Sequence, residues 1–251
     1  MRYFIHLAYN GSKYHGWQRQ PNDISVQECI EDALTKILRK QTEIVGAGRT
    51  DAGVNASCMY AHFDSEPITQ DFKPKLISGL NAILGKDIAI YDILPVRDDA
   101  HARFDALSRT YHYYSHTAKS PFIYPLSWQA PSGLDYDLMN RAAEILLHTD
   151  DFTSFAKLHT DAYTNICNVT HAEWIPRTDT DGYVFIITAN RFLRNMVRAV
   201  VGTLVDVGRH KITIPDFQAI IDHKDRCEAG TSMPGNALFL HDITYPKDIF
   251  I

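Results

Sequence analysis

Residues 25–38 read SVQECIEDALTKIL, and this stretch encodes one amphipathic helix. Its apolar positions follow the i, i+3, i+4, i+7 spacing of a single helix face without a fault. Ser25 and Glu28 match the Ser-x-x-Glu pattern of a capping box, which predicts that the helix begins after Ser25. We therefore predict a helix to about residue 40, with one face buried against a sheet.

Strands are predicted on both sides of this helix. Residues 2–9 are rich in aromatic and β-branched side chains, as is typical of a strand. Residues 43–45 begin a second strand, and residues 59–63 form a third. The spacing of apolar residues then predicts a helix over 73–84 and a strand over 88–96. The first half of the chain is thus strand, helix, strand, strand, followed by one more helix and one more strand.

The second half repeats this order. The predicted elements are a strand at 110–116, a helix around 138–146, strands at 167–175 and 183–189, a helix after 191 that ends at Gly208, a short helix from Pro215 and a strand at 237–243. A long polar connection is predicted over 150–165. The pattern predicts an α+β fold with two similar half-domains of the RRM or ferredoxin-like kind, whose mostly antiparallel mixed sheet carries helices on one face.

We place the half-domains at 1–105 and 106–251. No Pro-rich or Gly-rich linker separates them, so we expect the halves to share a sheet or a broad interface.

Composition bounds the class of protein. The chain has 251 residues, of which 45% are hydrophobic and 22% charged, as in ordinary globular proteins. No apolar run approaches the roughly 18 residues of a membrane span, and the N-terminus lacks the features of a signal peptide. The four cysteines form no Cys-x-x-Cys pair, so neither a zinc site nor a redox dithiol is indicated. We infer a reducing cytosol. The net charge of −5 argues mildly against a nucleic-acid partner, although local clustering of cations matters more than the sum.

Residues 46–54, GAGRTDAGV, are the first candidate for chemistry. Three glycines permit a tight bend and close approach by a ligand. Arg49 and Asp51 lie two residues apart in that bend, and a nearby cation favours the ionised form of a carboxylate, which suits a nucleophile or base. The alternative is a glycine-rich turn with a solvated ion pair. A glycoside hydrolase would need a second carboxylate, for which Asp105 is the nearest candidate.

Cations and aromatics supply the other candidates. The loop at 10–22 holds Lys13, Trp17 and Arg19, a mixture that suits stacking on bases and pairing with phosphates. Trp17 could equally be a core anchor. Arg194 and Arg198 are four residues apart on a predicted helix and would share a face, either solvated or directed at Asp51 and phosphate.

Familiar cofactor motifs are absent from the sequence. It has no P-loop, no dinucleotide fingerprint and no Gly-x-Ser-x-Gly elbow. No His-x-x-x-His pair falls on a predicted helix, so a metal site is unsupported. For Tyr111, core packing on a strand is the ordinary expectation.

Several blocks of the sequence, taken together, resemble the TruA-type tRNA pseudouridine synthases. The matching blocks are GAGRTDAGV at 46–54, YNGSKYHGWQRQ at 9–20, HARF at 101–104 with RTY at 109–111, DFTSF at 151–155, FLRNMVR at 192–198, VG at 201–202 and 207–208, and LFL at 238–240 before Tyr245-Pro246. They cover essentially the whole chain in order.

The resemblance implies roles for particular residues. Asp51 matches the essential nucleophile and Arg198 the arginine that pairs with it. Tyr111 matches the tyrosine that stacks on the target uracil, and Leu238 an apolar residue of the pocket. Arg49 is implied in RNA contact or base flipping.

The resemblance also implies a substrate and a location for the active site. Lys13, Arg19 and Arg194 are candidates for further RNA contacts, and we predict that they flank, together with Arg198, one cleft that contains Asp51. The active site is expected between the two halves. We expect a cytoplasmic protein, and the resemblance implies a homodimer without cofactor or metal, which acts on uridines 38, 39 and 40 in the anticodon stem-loop of tRNA.

The sequence departs from the family pattern at one position, and two other functions stay open. Asn55 stands where the family commonly has His, which puts a phosphate contact there in doubt. The alternatives are a catalytically silent RNA-binding protein on the same scaffold and a carboxylate-dependent hydrolase of nucleosides or glycosides.

Overall fold

The computed structural model describes residues 1–157 and 163–251. The chain forms two compact units, of which unit 1 comprises Met1–Leu107 with Leu240–Ile251, and unit 2 comprises Ser108–Phe239. The half-domain boundary after residue 105 remains a prediction. Among the described helices, none is long and apolar enough to cross a membrane.

The described residues form nine strands and five α-helices. In chain order they are β1 (Arg2–Tyr9), α1 (Val26–Leu38), β2 (Val45–Gly46), β3 (Asn55–Asp64), α2 (Phe72–Ile83), β4 (Ile88–Val96), β5 (Ser108–His116), β6 (Trp128–Gln129), α3 (Tyr136–Ala143), β7 (Val169–Pro176), β8 (Tyr183–Ala189), α4 (Met196–Gly208), α5 (Ile214–His223) and β9 (Leu238–Thr244). The predicted connection over 150–165 lies partly outside the described residues.

Unit 1 is an antiparallel sheet with two helices. Strand β1 pairs with β3 on one side and β4 on the other, so Ile5 lies opposite both Ala61 and Ile93. The short β2 pairs with β3. Helix α1 contacts α2, which contacts β4, and Leu34 and Leu80 are fully buried. The helix predicted from residues 25–38 is therefore formed, and its apolar face is buried.

Unit 2 combines antiparallel strands with three helices, α3, α4 and α5. Strand β8 pairs antiparallel with β5 and β7, and the two-residue β6 runs parallel to β5. Helix α4 contacts α3 and α5, and the α4 residue Leu204 is fully buried, as is Phe185 in the sheet. The predicted α+β class with mostly antiparallel strands is confirmed. The short β6 was not predicted, because two residues show no periodicity.

The predicted capping box of α1 forms only in part. The Ser25 hydroxyl accepts a hydrogen bond from the Glu28 amide at 3.2 Å, as expected. The Glu28 carboxylate instead lies 3.3 Å from the Arg19 guanidinium. A nearby cation is a stronger partner for a carboxylate than the backbone N–H at the N-cap.

Candidate active site

Asp51 lies in the turn that joins β2 to β3. Its side chain is half-buried, between the buried Thr50 and the exposed Ala52. The Val54 amide donates to the Asp51 carbonyl oxygen at 3.1 Å, which closes the turn. The carboxylate is therefore held by a defined backbone while part of its surface stays open to a ligand.

The loop at 10–22 forms hydrogen bonds with the backbone of this turn. The Trp17 amide donates to the Thr50 carbonyl at 3.3 Å, and the Gly53 amide donates to the Tyr14 carbonyl at 3.2 Å. The hydroxyls of Tyr9 and Thr50 are hydrogen-bonded at 2.8 Å in a buried position. Contacts on both sides of Asp51 thus fix its backbone, which reduces the reorganisation needed when a substrate binds.

Trp17 is a core anchor. Its side chain is only 3% exposed, and its indole lies so close to Gly46 that a methyl group at residue 46 would overlap it. Tyr14 is buried as well, and its hydroxyl donates to Asp87 at 2.9 Å. The predicted stacking of these loop aromatics on bases is therefore wrong, and the sequence alternative of core packing is confirmed for Trp17.

The predicted RNA-contact cations of unit 1 differ in their partners. Lys13 lies 3.1 Å from the Asp87 carboxylate, and Arg19 lies 3.3 Å from Glu28 and 3.4 Å from Glu31. Arg49 is exposed, and it forms no ion pair within residues 1–157 and 163–251. The pairing of Arg49 with Asp51, suggested by their proximity in sequence, is therefore not formed.

Asn55 has a structural function in this chain. It is fully buried, and its amide oxygen accepts a hydrogen bond from the Gly11 backbone amide at 2.8 Å. A fully buried side chain cannot contact a phosphate of a bound RNA. The position that departs from the family pattern therefore ties the start of β3 to the N-terminal loop.

Replacing Asn55 with Ala should lower the free energy of unfolding by about 1–3 kcal/mol, because the buried Gly11 amide would lose its acceptor. Chemical denaturation measures the change. Ser12→Ala, an exposed substitution in the same loop, should stay within about 0.5 kcal/mol of the parent protein. Equal stabilities of the two variants would contradict this function of Asn55.

The block at 101–104 is anchored on β3 through His62. The Ala102 amide donates to Nδ1 of His62 at 3.1 Å, and the rings of His62 and His101 meet edge to face at 4.6 Å. The His101 amide donates to the Asp105 carboxylate at 2.7 Å. Asp105, the candidate second carboxylate, therefore closes this turn.

The buried His62 makes stability depend on pH. Burial lowers the pKa of His62 to about 4, and further contributions come from His101 and Arg2, which lower it, and from Asp64 and Asp105, which raise it. As pH falls, the imidazole of His62 gains its proton in the unfolded chain before it does so in the folded protein. The contribution of neutral His62 to the free energy of unfolding is therefore complete above about pH 6.5 and is lost as pH falls toward 4.

We expect the free energy of unfolding to fall by up to about 3 kcal/mol across this interval through His62 alone. Denaturant titrations at a series of pH values measure the slope. His62→Asn retains an acceptor for the Ala102 amide but does not titrate, so its slope should be shallower. An unchanged slope in that variant would show that other groups cause the pH dependence.

In unit 2, Tyr111 is packed on β5. Its side chain is 9% exposed, and its ring meets Phe192 edge to face at 5.0 Å. Leu238, the first residue of β9, is also buried. Core packing, the ordinary expectation for Tyr111, thus describes its surroundings, and the aromatic partner holds its ring in one orientation.

Arg198 lies in the first turn of α4, and Arg194 lies outside the helix. Helix α4 begins at Met196, after Asn195 in the left-handed conformation with φ 67°. The predicted shared helix face of Arg194 and Arg198 is therefore wrong, because the helix does not extend back to residue 194. Arg194 is exposed and Arg198 half-buried.

The Arg198 side chain is fixed by a backbone carbonyl. Its Nε donates to the Met233 carbonyl at 2.6 Å, and the Met233 amide donates to the Arg198 carbonyl at 3.0 Å. Met233 was not predicted as part of the site, because every residue has a backbone carbonyl and the sequence does not show which of them accepts a hydrogen bond.

Comparison with known proteins adds the family. A family model described as tRNA pseudouridine synthase matches residues 142–246. A tRNA pseudouridine synthase A of Bacteroides fragilis is 56% identical over 251 residues, which cover 99% of this chain and 98% of that protein. The chain belongs to the tRNA pseudouridine synthase A family.

More distant members of the tRNA pseudouridine synthase A family match over similar lengths. The Porphyromonas gingivalis protein is 52% identical over 250 residues, covering 100% of this chain and 99% of that protein. The Colwellia psychrerythraea protein is 39% identical over 251 residues, with 99% and 95% covered. The predicted resemblance to this family is confirmed, and it extends over both units.

Proposed function

We propose that this protein isomerises uridine to pseudouridine at positions 38, 39 and 40 of tRNA, with Asp51 as the nucleophile. The observation that carries the proposal is identity of 56% to a tRNA pseudouridine synthase A over nearly the whole of both chains. The half-buried carboxylate of Asp51, in a turn fixed by hydrogen bonds on both sides, supports its role.

The reaction needs only groups that a protein can supply. The N1–C1′ bond of uridine breaks, the uracil turns, and a C5–C1′ bond forms while the C5 proton leaves and N1 regains one. No electron is transferred to another molecule and no group is donated. The base must first leave its stack and enter a pocket. An ionised carboxylate can then attack C1′, add to C6 or remove the C2′ proton.

Tyr111, Arg198 and Leu238 complete the proposed machinery. Tyr111 stacks on the target uracil, and its edge-to-face contact with Phe192 keeps the ring from turning with the base. Arg198 pairs with the carboxylate of Asp51 through a charge-assisted contact. Leu238 lines the uracil pocket, where its burial supports an apolar surface.

The RNA contacts of unit 1 are proposed to differ in kind. Arg49 is exposed and has no carboxylate partner in the described part of the chain, so its charge is available to a phosphate. Lys13 and Arg19 would have to exchange Asp87, Glu28 or Glu31 for phosphate. This exchange lowers their net contribution to affinity. Arg194 is exposed beside the start of α4 and is proposed as a fourth contact.

We further propose that the enzyme is a cytoplasmic homodimer. The family resemblance supports the dimer. The cysteines Cys29, Cys58, Cys167 and Cys227 are all free thiols, as expected for a reducing compartment.

The purified protein should be incubated with unmodified tRNA transcripts, and pseudouridine should be mapped by position. We expect product at positions 38, 39 or 40 without release of free uracil. Release of uracil would favour the nucleoside or glycoside hydrolase, and binding of tRNA without any product would favour the silent RNA-binding protein.

A further inference from the structure

Residues 229–234 of unit 2 lie along helix α4, and we call them the α4 strap. The Gly230 amide donates to the Thr203 hydroxyl at 2.9 Å. Three residues later, Met233 binds Arg198 through both its amide and its carbonyl, at 3.0 and 2.6 Å. The α4 strap is therefore attached to the helix at two points, and the second of them is the residue that holds the Arg198 side chain.

The α4 strap lies directly on the helix backbone. A methyl group at Gly202 would overlap the Thr231 carbonyl oxygen, so no side chain separates the two segments. Such close approach leaves little room for the α4 strap to shift without breaking its hydrogen bonds. The position of the Met233 carbonyl is thus coupled to the whole strap.

The guanidinium of Arg226 binds three acceptors of the α4 strap. Nη1 of Arg226 lies 3.3 Å from the Ala229 carbonyl and 3.2 Å from the Gly230 carbonyl, and Nη2 donates to the Ser232 hydroxyl at 2.7 Å. The same hydroxyl accepts from the Asn195 side-chain amide at 2.6 Å. Arg226 therefore connects the α4 strap to the residue whose left-handed conformation begins α4.

Arg226 makes these bonds without a carboxylate partner. It forms no ion pair among the residues that the structure describes, and its side chain is half-buried. A guanidinium offers five N–H donors in a rigid plane, whereas a lysine ammonium is a single point on a flexible stem. Lysine at this position would keep the charge but could not hold three acceptors in the same geometry.

We propose that Arg226 is a positioning residue for Arg198. Arg226 holds the α4 strap, the strap presents the Met233 carbonyl, and this carbonyl orients the Arg198 guanidinium through Nε. The proposal rests on the proposed role of Arg198 in catalysis, but the positioning itself is a property of unit 2 that can be measured without substrate.

The first test is hydrogen exchange of the Arg198 Nε–H, followed by NMR and assigned through its loss in Arg198→Lys. In Arg226→Lys we expect exchange to accelerate by at least about tenfold, because the acceptor is no longer held. The matched control is Arg209→Lys, an exposed arginine at the other end of α4, which should leave the rate unchanged. Unchanged exchange in Arg226→Lys would overturn the proposal, whether or not the enzyme makes pseudouridine.

The second test is single-turnover kinetics. Arg226→Lys should lower the rate of pseudouridine formation about 10-fold to 100-fold, the size expected for a misplaced catalytic group, while the Kd for tRNA changes less than about twofold. Ser232→Ala should act in the same direction, and the double variant should lose less than the product of the two single losses.

Two outcomes of the kinetics count against the proposal. A wild-type rate in Arg226→Lys would overturn it. So would a loss of rate that disappears once the folded fraction, measured by thermal unfolding, is taken into account. Absence of product from the parent protein would instead reject the proposed function, and the exchange measurement would still decide the role of Arg226.

Discussion

Asp51→Asn is expected to abolish pseudouridine formation, with a loss of at least about 10⁴-fold in the single-turnover rate, the scale seen when a central catalytic group is removed. The amide has nearly the shape of the carboxylate but is neither a nucleophile nor a base. The turn should survive the change, because the Val54 amide binds the backbone carbonyl of residue 51 and not its side chain.

The measurement has two parts. Binding of unmodified tRNA should be retained within a few-fold, whereas position-specific mapping should find product, if any, only after incubations about 10⁴-fold longer than the parent protein needs. Asp105→Asn is the matched control, because an asparagine oxygen can still accept from the His101 amide that Asp105 now binds at 2.7 Å. That variant should keep the parent rate. Full activity of Asp51→Asn would contradict the proposed role of Asp51. A lower rate in Asp105→Asn would favour the two-carboxylate hydrolase.

The sequence predicts most of the secondary structure because these elements are regular. The apolar face of residues 25–38 and the aromatic and β-branched side chains of residues 2–9 are local patterns, and each forms the expected element. The start of α4 was misplaced because one residue, Asn195, adopts the left-handed conformation. Non-glycine residues rarely do so, and no pattern around residue 195 announces it.

The candidate site could be predicted only where its residues lie in one segment. The turn around Asp51 is contiguous, so its glycines and its carboxylate were recognisable together. Contacts between distant segments left no such signal. The approach of the Trp17 indole to Gly46 joins residues that sequence spacing does not relate, and this contact decides between a core anchor and a base-stacking platform.

Charge shows the same limitation. Lys13 and Arg19 looked like RNA contacts because they occur in a polar loop beside aromatic residues. Their carboxylate partners include Asp87 and Glu31, which lie 74 and 12 residues away along the chain. Counting cations in a loop cannot show which of them the fold has already paired.

Arg198→Lys is expected to lower the single-turnover rate by about 10²-fold to 10³-fold, the cost of removing one preorganised charged contact to a reacting group. Lysine keeps the positive charge but loses the planar fork of the guanidinium. The Met233 carbonyl would also lose the Nε donor that now lies 2.6 Å away. The lysine side chain at residue 198 would therefore no longer be oriented by the α4 strap.

A control variant and a double variant test whether Arg198 acts through Asp51. Arg194→Lys changes an exposed arginine four residues earlier and should alter tRNA affinity more than the rate. If Arg198 acts through Asp51, the double variant Asp51→Asn/Arg198→Lys should be no slower than Asp51→Asn alone, because groups that act as a unit are strongly non-additive. Independent, multiplicative losses, or an Arg198→Lys rate within about threefold of the parent rate, would separate Arg198 from the chemistry at Asp51.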